Sequence, residues 1–230
     1  MKRSTLRLAA VALALTMVGV LACGGSSTPS GPDSPSGTAS GGSSGGGSGG
    51  GSNGGGTPAT GSLAIRITDS PFSDAKALLV TFSEVNVHRA DGDSWQTMPF
   101  ASGGTSRTCD LKKLQGQTDV LGVGALTAGH YTQVRLVVSS AAIYFDTASS
   151  GPACAPTIGA PAGKSAPVDV PSGEVKLNHE FTITGSASTM LLDFDGDKSV
   201  KQTGSGNGNG KGNSNGKYMM TPVIRVVSVQ

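Results

Sequence analysis

Ser62-Leu63-Ala64-Ile65-Arg66-Ile67-Thr68 alternates strictly between two kinds of side chain. Leu63, Ile65 and Ile67 share one side, and Ser62, Ala64, Arg66 and Thr68 share the other. A period of two is the repeat of a β-strand, whose successive side chains point to opposite faces. Such a strand packs one face on a core and turns the other outward. Outward from this segment the same period recurs. Leu78-Leu79-Val80-Thr81-Phe82 predicts a second strand, continuing through Val85 and Val87. These two share parity with each other but not with Val80 and Phe82, so a bulge is expected near Ser83-Glu84. Asp91-Gly92 marks a turn before a short strand over 95–98.

Residues 131–145 are rich in β-branched and aromatic side chains, with Val134, Leu136 and Val138 on one face. The small residues 185–188 separate Phe181-Thr182-Ile183 from Met190-Leu191-Leu192-Asp193-Phe194, which reads as a hairpin. A last strand is expected over 218–229. Pro222 within it argues against a central ladder position, or for a local bulge. Helical signal is weak and confined to 109–124, as one short helix around 111–114 or 119–121. Short strands split by Gly-, Pro- and Asp-rich turns predict a mainly β fold, a single β-sandwich or half-open barrel.

Composition divides the rest of the chain. Residues 1–22 begin with Lys2, Arg3 and Arg7 and continue as an apolar run over 8–20. A basic start, a short apolar run and small residues before a cleavage point mark an export signal. The run is too short to span a bilayer comfortably. Residues 23–60 hold almost only Gly, Ser, Pro, Thr, Ala and Asn after Cys23. Such a segment cannot bury enough apolar area to offset its ordering entropy, so a flexible, disordered tether is expected. Its mean span is about 30–37 Å. Residues 61–230 then form one domain. The formal charge of +2 belongs to the leader: removing Lys2, Arg3 and Arg7 leaves 14 basic against 15 acidic residues. No basic stripe argues for nucleic acid.

Val20-Leu21-Ala22-Cys23-Gly24 resembles a bacterial lipobox. That resemblance implies lipidation of the Cys23 thiol, cleavage before it and acylation of the new N-terminus. Two or more acyl chains make a stable anchor where one is marginal. The expected place is the cell envelope, at the outer membrane in a Gram-negative host, since position 24 is not Asp. In an oxidising compartment the two remaining cysteines, Cys109 and Cys154, suggest one disulfide, with two free thiols as the alternative.

A second resemblance covers 61–229. It rests on Thr68-Asp69-Ser70-Pro71, Val80-Thr81-Phe82-Ser83-Glu84-Val85, Leu126-Thr127-Ala128-Gly129-His130-Tyr131, Val175-Lys176-Leu177-Asn178, Leu191-Leu192-Asp193-Phe194-Asp195 and Pro222-Val223-Ile224-Arg225-Val226. In this order the blocks resemble the DUF4382 family of bacterial lipoprotein domains. The resemblance implies an immunoglobulin-like, prealbumin-like β-sandwich and no settled activity. A Gly/Asn/Lys-rich insert over 207–215 departs from the pattern.

Asp193, Asp195 and Asp197 are the densest acidic group and the one candidate calcium site. The position twelfth from Asp193 is Gly204, so an EF-hand loop is excluded. The alternative is a strand end closed by an Asp-Gly turn. Asp69 before Ser70-Pro71 is expected to fix a turn by bonding to the following backbone. Tyr131, Gln133 and Arg135 alternate on one strand, and Arg225 lies on the last. They form a candidate binding face for sugar or peptide, against the plainer reading of an outer sheet face. Trp95 is read as packing in the core or at its rim. His88, His130 and His179 are scattered without metal spacing, and no nucleophile or nucleotide motif occurs. The leading expectation is a non-catalytic, lipid-anchored binding or structural protein without cofactor. The alternatives are a calcium-stabilised module for carbohydrate or peptide and, behind it, an envelope hydrolase.

Overall fold

The alternating segments form thirteen strands and one helical turn in the computed structural model, which describes residues 58–70, 75–203 and 216–230. The leader, Cys23, the tether up to residue 57, Pro71 and the 207–215 insert lie outside the described residues, and Thr60, expected in the tether, opens β1. The strands are β1 Thr60–Ser70, β2 Ala77–Arg89, β3 Ser94–Met98, β4 Arg107–Asp110, β5 Asp119–Thr127, β6 Gly129–Tyr144, β7 Cys154–Ala155, β8 Ser165–Asp169 and β9 Glu174–Ile183. Then come β10 Ala187–Asp195, the turn α1 Gly196–Ser199, β11 Val200–Gln202, β12 Tyr218–Met220 and β13 Ile224–Val229. The one other helical piece is a 3-10 turn at Leu111–Leu114. The alternative helix site over 119–121 is instead the start of β5.

Two sheets make the expected sandwich. One has the order β13-β10-β1-β5. The larger runs β11-β12-β8-β6-β2-β4-β7, with β3 on β2 and β9 on β6. Leu63, Ile65 and Ile67 of β1 and Met190, Leu192 and Phe194 of β10 face inward and are fully buried. They join one core with Val85, Val87, Val134 and Leu136 of the larger sheet. The pairing of β2 with β6 shifts register around Phe82 and Glu84, which is the expected bulge. It turns Val85 and Val87 to the same core that Val80 and Phe82 reach.

The hairpin expected over 181–194 does not form. β9 pairs with β6, and β10 pairs in parallel with β1, matching Ser62 to Ala187 and Ile67 to Leu192. The chain between them crosses from one sheet to the other at Gly61. There a side-chain Cβ would lie 2.0 Å from the Thr184 carbonyl oxygen, and Ser62 N–H donates to Ser186 O at 3.2 Å. Parallel pairing sets the apolar series of β10 beside that of β1 on one inner face, which a hairpin with β9 would not do.

The strand expected over 218–229 is also two strands. β12 belongs to the larger sheet and β13 to the smaller, with Thr221, Pro222 and Val223 between them. Pro222, having no N–H, sits where the chain leaves one ladder for the other. A bulge at Val227 follows, since Leu191 pairs with Ser228 but Leu192 with Val226. It leaves Val227 half-exposed while Ile224, Val226 and Val229 pack on the core.

On the other side, residues 99–101 tie the sheets together. Val123 N–H donates to Pro99 O at 3.1 Å and Ala101 N–H to Leu121 O at 3.0 Å. Cys109 and Cys154 are direct partners on β4 and β7 and form a disulfide with S–S 2.09 Å. Beside them Arg107 is almost fully buried. Its guanidinium donates to Ala101 O at 2.8 Å, Asp119 Oδ1 at 3.1 Å and Cys154 O at 3.3 Å. Asp119 Oδ2 accepts from Cys154 N–H at 3.0 Å.

Candidate binding face

The register of β3, β2, β6 and β9 lays the outward side chains in rows. Trp95 stands opposite His88, His88 opposite Gln133, and Gln133 opposite Asn178. The next row is Thr97, Asn86, Arg135 and Lys176. Glu84, Val137 and Glu174 follow. Alternation places these groups outward because Val85, Val87, Val134 and Leu136 are taken by the core.

The polar groups hold one another. Thr97 Oγ1 donates to Asn86 Oδ1 at 2.7 Å, and Asn86 Nδ2 donates to Glu84 Oε2 at 3.0 Å. Asn86 is buried with both ends of its amide satisfied, as burial of an amide requires. Gln133 Nε2 donates to Asn178 Oδ1. Glu174 lies 2.9 Å from Lys176 Nζ and 3.9 Å from Arg135. The Lys176 hydrogen bond holds its carboxyl below the ordinary range. The Arg135 guanidinium carbon sits 4.3 Å from the Trp95 ring centroid, and the His88 ring is 4.9 Å away on a tilt. Trp95 is thus packed at the sheet surface by a cation and an imidazole.

Two members of the expected face are elsewhere. Tyr131 is fully buried, stacked on Phe181 at 5.2 Å, and its hydroxyl donates to Thr127 O at 2.8 Å. Burial pushes the phenol pKa up. A register shift between Tyr131 and Gln133 breaks the alternation expected to unite them. Arg225 is on the smaller sheet, where it donates twice to Asp193 Oδ2, at 2.9 and 2.7 Å. Gln133 and Arg135 do lie together.

Asp193 and Asp195 are each engaged by protein partners. Asp193 takes Arg225 and, through both oxygens, Ser70 Oγ at 3.2 and 3.1 Å. Asp195 caps α1, accepting from Lys198 N–H at 3.0 Å and Lys198 Nζ at 2.7 Å. The side-chain bond is the larger cause of its lowered pKa. Asp193 and Asp195 point outward from β10, while Asp69 points inward from β1. No group of three or more His, Cys, Asp or Glu side chains fit to hold a metal ion occurs among the described residues, so the oxygen set that calcium requires is not assembled. The bond expected from Asp69 to its own following backbone lies with residues outside the described ones. What is seen is a long-range bond, Gly196 N–H to Asp69 Oδ1 at 3.1 Å. Asp69 Oδ2 is buried, with no hydrogen-bond partner among the described residues within bonding geometry. Burial, reinforced by Asp193 and Asp195, pushes the Asp69 pKa up to about 7 against the pull of the Gly196 N–H and the Gln115 side chain.

Glu84 and His88 lie four residues apart on β2, a spacing that separates their side chains along the strand. His88 instead bonds Thr132 Oγ1 at 3.0 Å and Asp93 Oδ1 at 3.2 Å. This hydroxyl–imidazole–carboxylate series lies on an open sheet with Asp93 fully exposed. It has neither the buried orienting carboxylate nor the shielded donors that acyl transfer uses.

One feature escaped sequence reading. At the far end of β6 the outer surface becomes a groove of about 640 Å³ between β6, β8 and β12. Ser139, Ser140, Pro167, Asp169, Lys217 and Met219 contribute to it. Its walls come from segments distant in sequence, so no local pattern announced it.

The model of a domain of unknown function, DUF4382, matches residues 60–222. The chain belongs to the DUF4382 family. No curated protein and no solved structure matches it. The DUF4382 domain therefore takes in every strand up to β12, with both the outward rows and the groove.

Proposed function

We propose that this DUF4382 chain is a membrane-anchored, extracytoplasmic lipoprotein with a non-catalytic binding or structural role. The observation that carries the reading is Cys23, set directly after a basic start and a short apolar run, and followed by a Gly/Ser tether. Lipid on Cys23 holds the chain at the membrane, and the tether lets the domain stand clear of the headgroups. The disulfide suits an oxidising compartment outside the cytoplasm. The binding role is best placed on the outward rows of β3, β2, β6 and β9, where polar groups are pre-positioned by mutual hydrogen bonds.

Mass spectrometry of the mature N-terminus tests the anchor. The expected result is an acylated peptide beginning at Cys23, with Cys23→Ala releasing the chain from the membrane fraction or leaving the precursor unprocessed. A mature N-terminus elsewhere, without lipid, refutes it.

A further inference from the structure

We infer that Asp69 is a proton-dependent latch: its neutral carboxyl holds the turn α1 and the crossing from β12 to β13 closed, and its ionised form lets them open.

The latch is a short series of bonds. Asp69 is almost fully buried near the end of β1, its Oδ2 included, and its Oδ1 accepts from Gly196 N–H at 3.1 Å. Gly196 opens α1 and Ser199 closes it. Ser199 is buried too. Its Oγ donates to Asp195 O at 2.5 Å and accepts from Val223 N–H at 2.8 Å. Its carbonyl takes Thr221 N–H at 2.9 Å, and Asp195 N–H donates to Val223 O at 2.9 Å. α1 thus joins one buried carboxyl to the residues that carry the chain from one sheet to the other.

Charge makes that contact conditional. An ionised carboxylate here is stripped of water and faces Asp193 and Asp195 of β10, both negative. The cations beside them are turned to other carboxylates. Lys198 of α1 lies 2.7 Å from Asp195, and Arg225 of β13 lies 2.7 Å from Asp193. Asp197 of α1 is exposed. On the side of the 3-10 turn, Gln115 offers a neutral amide. Lys112 and Lys113 there are half-exposed, and Lys113 Nζ reaches Gly151 O at 2.7 Å. Asp110 before them is taken by Ser149 and Leu78 N–H, and Asp119 of β5 by Arg107.

Ionisation therefore favours a state in which water reaches Asp69. Of the elements around it, α1 is the one to yield. β5 and β10 are paired with β1 along most of its length, whereas α1 is a single turn held by the bonds above. Its release frees residues 221–223 with it and widens the cleft of about 300 Å³ that Ser199, Lys201, Met219 and Thr221 line. The sign follows from linkage. Opening is least at acid pH, rises by up to about tenfold per pH unit above 3.8, and levels off above about 7.

The test is native-state hydrogen exchange of the full chain in detergent, read by mass spectrometry at pH 5 and pH 8 with labelling times scaled for the intrinsic rate. Peptides over 195–200 and 221–224 are expected to open about tenfold more often, or above that, at pH 8. They should do so at urea concentrations that leave peptides of β2 and β6 protected. Asp69→Asn keeps the acceptor for Gly196 N–H and is expected to open equally little at both pH values. Should that variant not fold, the parent's own profile decides, since its opening is expected to follow one proton and level off above about pH 7. The inference is overturned if opening of α1 is independent of pH, if the rise persists in Asp69→Asn, or if α1 exchanges only when β2 and β6 unfold with it.

Discussion

Asp69 is the residue whose chemistry departs furthest from its type. In the unfolded chain its carboxyl titrates near 3.8, and in the folded domain near 7. Between these values the native state keeps a proton that the unfolded chain has released. Stability is therefore fully present below the lower value, falls as pH rises through the window, and is level above it. The loss is up to about 4 kcal/mol, from the size of the shift. Asp69→Asn keeps the acceptor for Gly196 N–H and removes the titration. Urea unfolding at pH 4 and pH 8 is expected to show the variant gaining on the parent only at the higher pH. Equal spacing at both would mean that Asp69 titrates as an ordinary carboxyl. Arg107 is the second such residue, buried and tied to Asp119 and two carbonyls. Arg107→Ala leaves those acceptors unpaired and is expected to cost about 3–5 kcal/mol in the same assay. A loss under 1 kcal/mol would make the pair a bystander.

Crossings between the sheets govern the element scale. β10 reaches its place beside β1 only because the chain at Thr184–Ser186 passes over Gly61. Gly61→Ala sets a Cβ against two carbonyl oxygens, at 2.0 and 2.7 Å. Backbone cannot move aside as a flexible side chain does, so a loss of about 1–3 kcal/mol is expected, with hydrogen exchange rising first in β1 and β10. Gly185→Ala is the control, since its added methyl meets nothing within 4 Å. If the two variants unfold alike, the crossing is not tight. Two edge strands carry irregularities, β13 at Val227 and β9 near His179 and Glu180. Bulges of this kind blunt an edge against pairing with other chains.

At the scale of the whole molecule, stability rests on one core and one covalent tie. The Cys109–Cys154 bond spans a sequence separation of 45 residues. Chain entropy alone puts its contribution at about 4 kcal/mol. Replacing both cysteines by serine is expected to lower the urea midpoint accordingly and leave the strand content intact. Calcium is expected to do nothing. The thermal midpoint of the parent in chelator and in millimolar calcium should agree, because ligand binding to the native state would raise it. A calcium-dependent rise that disappears in Asp195→Asn would overturn the assignment of that carboxylate to capping α1.

Sequence by itself determined that the chain is mainly β and which side of β1, β2 and β6 is buried, while β4, β7 and β8 carried no local signal and β5 began where a helix was equally legible. The alternation of Leu63, Ile65 and Ile67, the parity switch after Phe82 and the turn at Asp91-Gly92 are local patterns, and a local pattern suffices to choose a face. It also identified the family and one pair of cysteines. Tertiary structure alone decided which sheet each strand joins. Phe181-Thr182-Ile183 and Met190-Leu191-Leu192 are neighbours in sequence, yet their hydrogen bonds go to β6 and to β1. The physical reason is that strand partners such as Ser62 and Ala187 meet only when the whole core closes. The same holds for the side chains that sequence grouped. Tyr131 left Gln133 and Arg135 through a one-residue shift, and Asp193 and Asp195 went to different partners, Arg225 and Lys198.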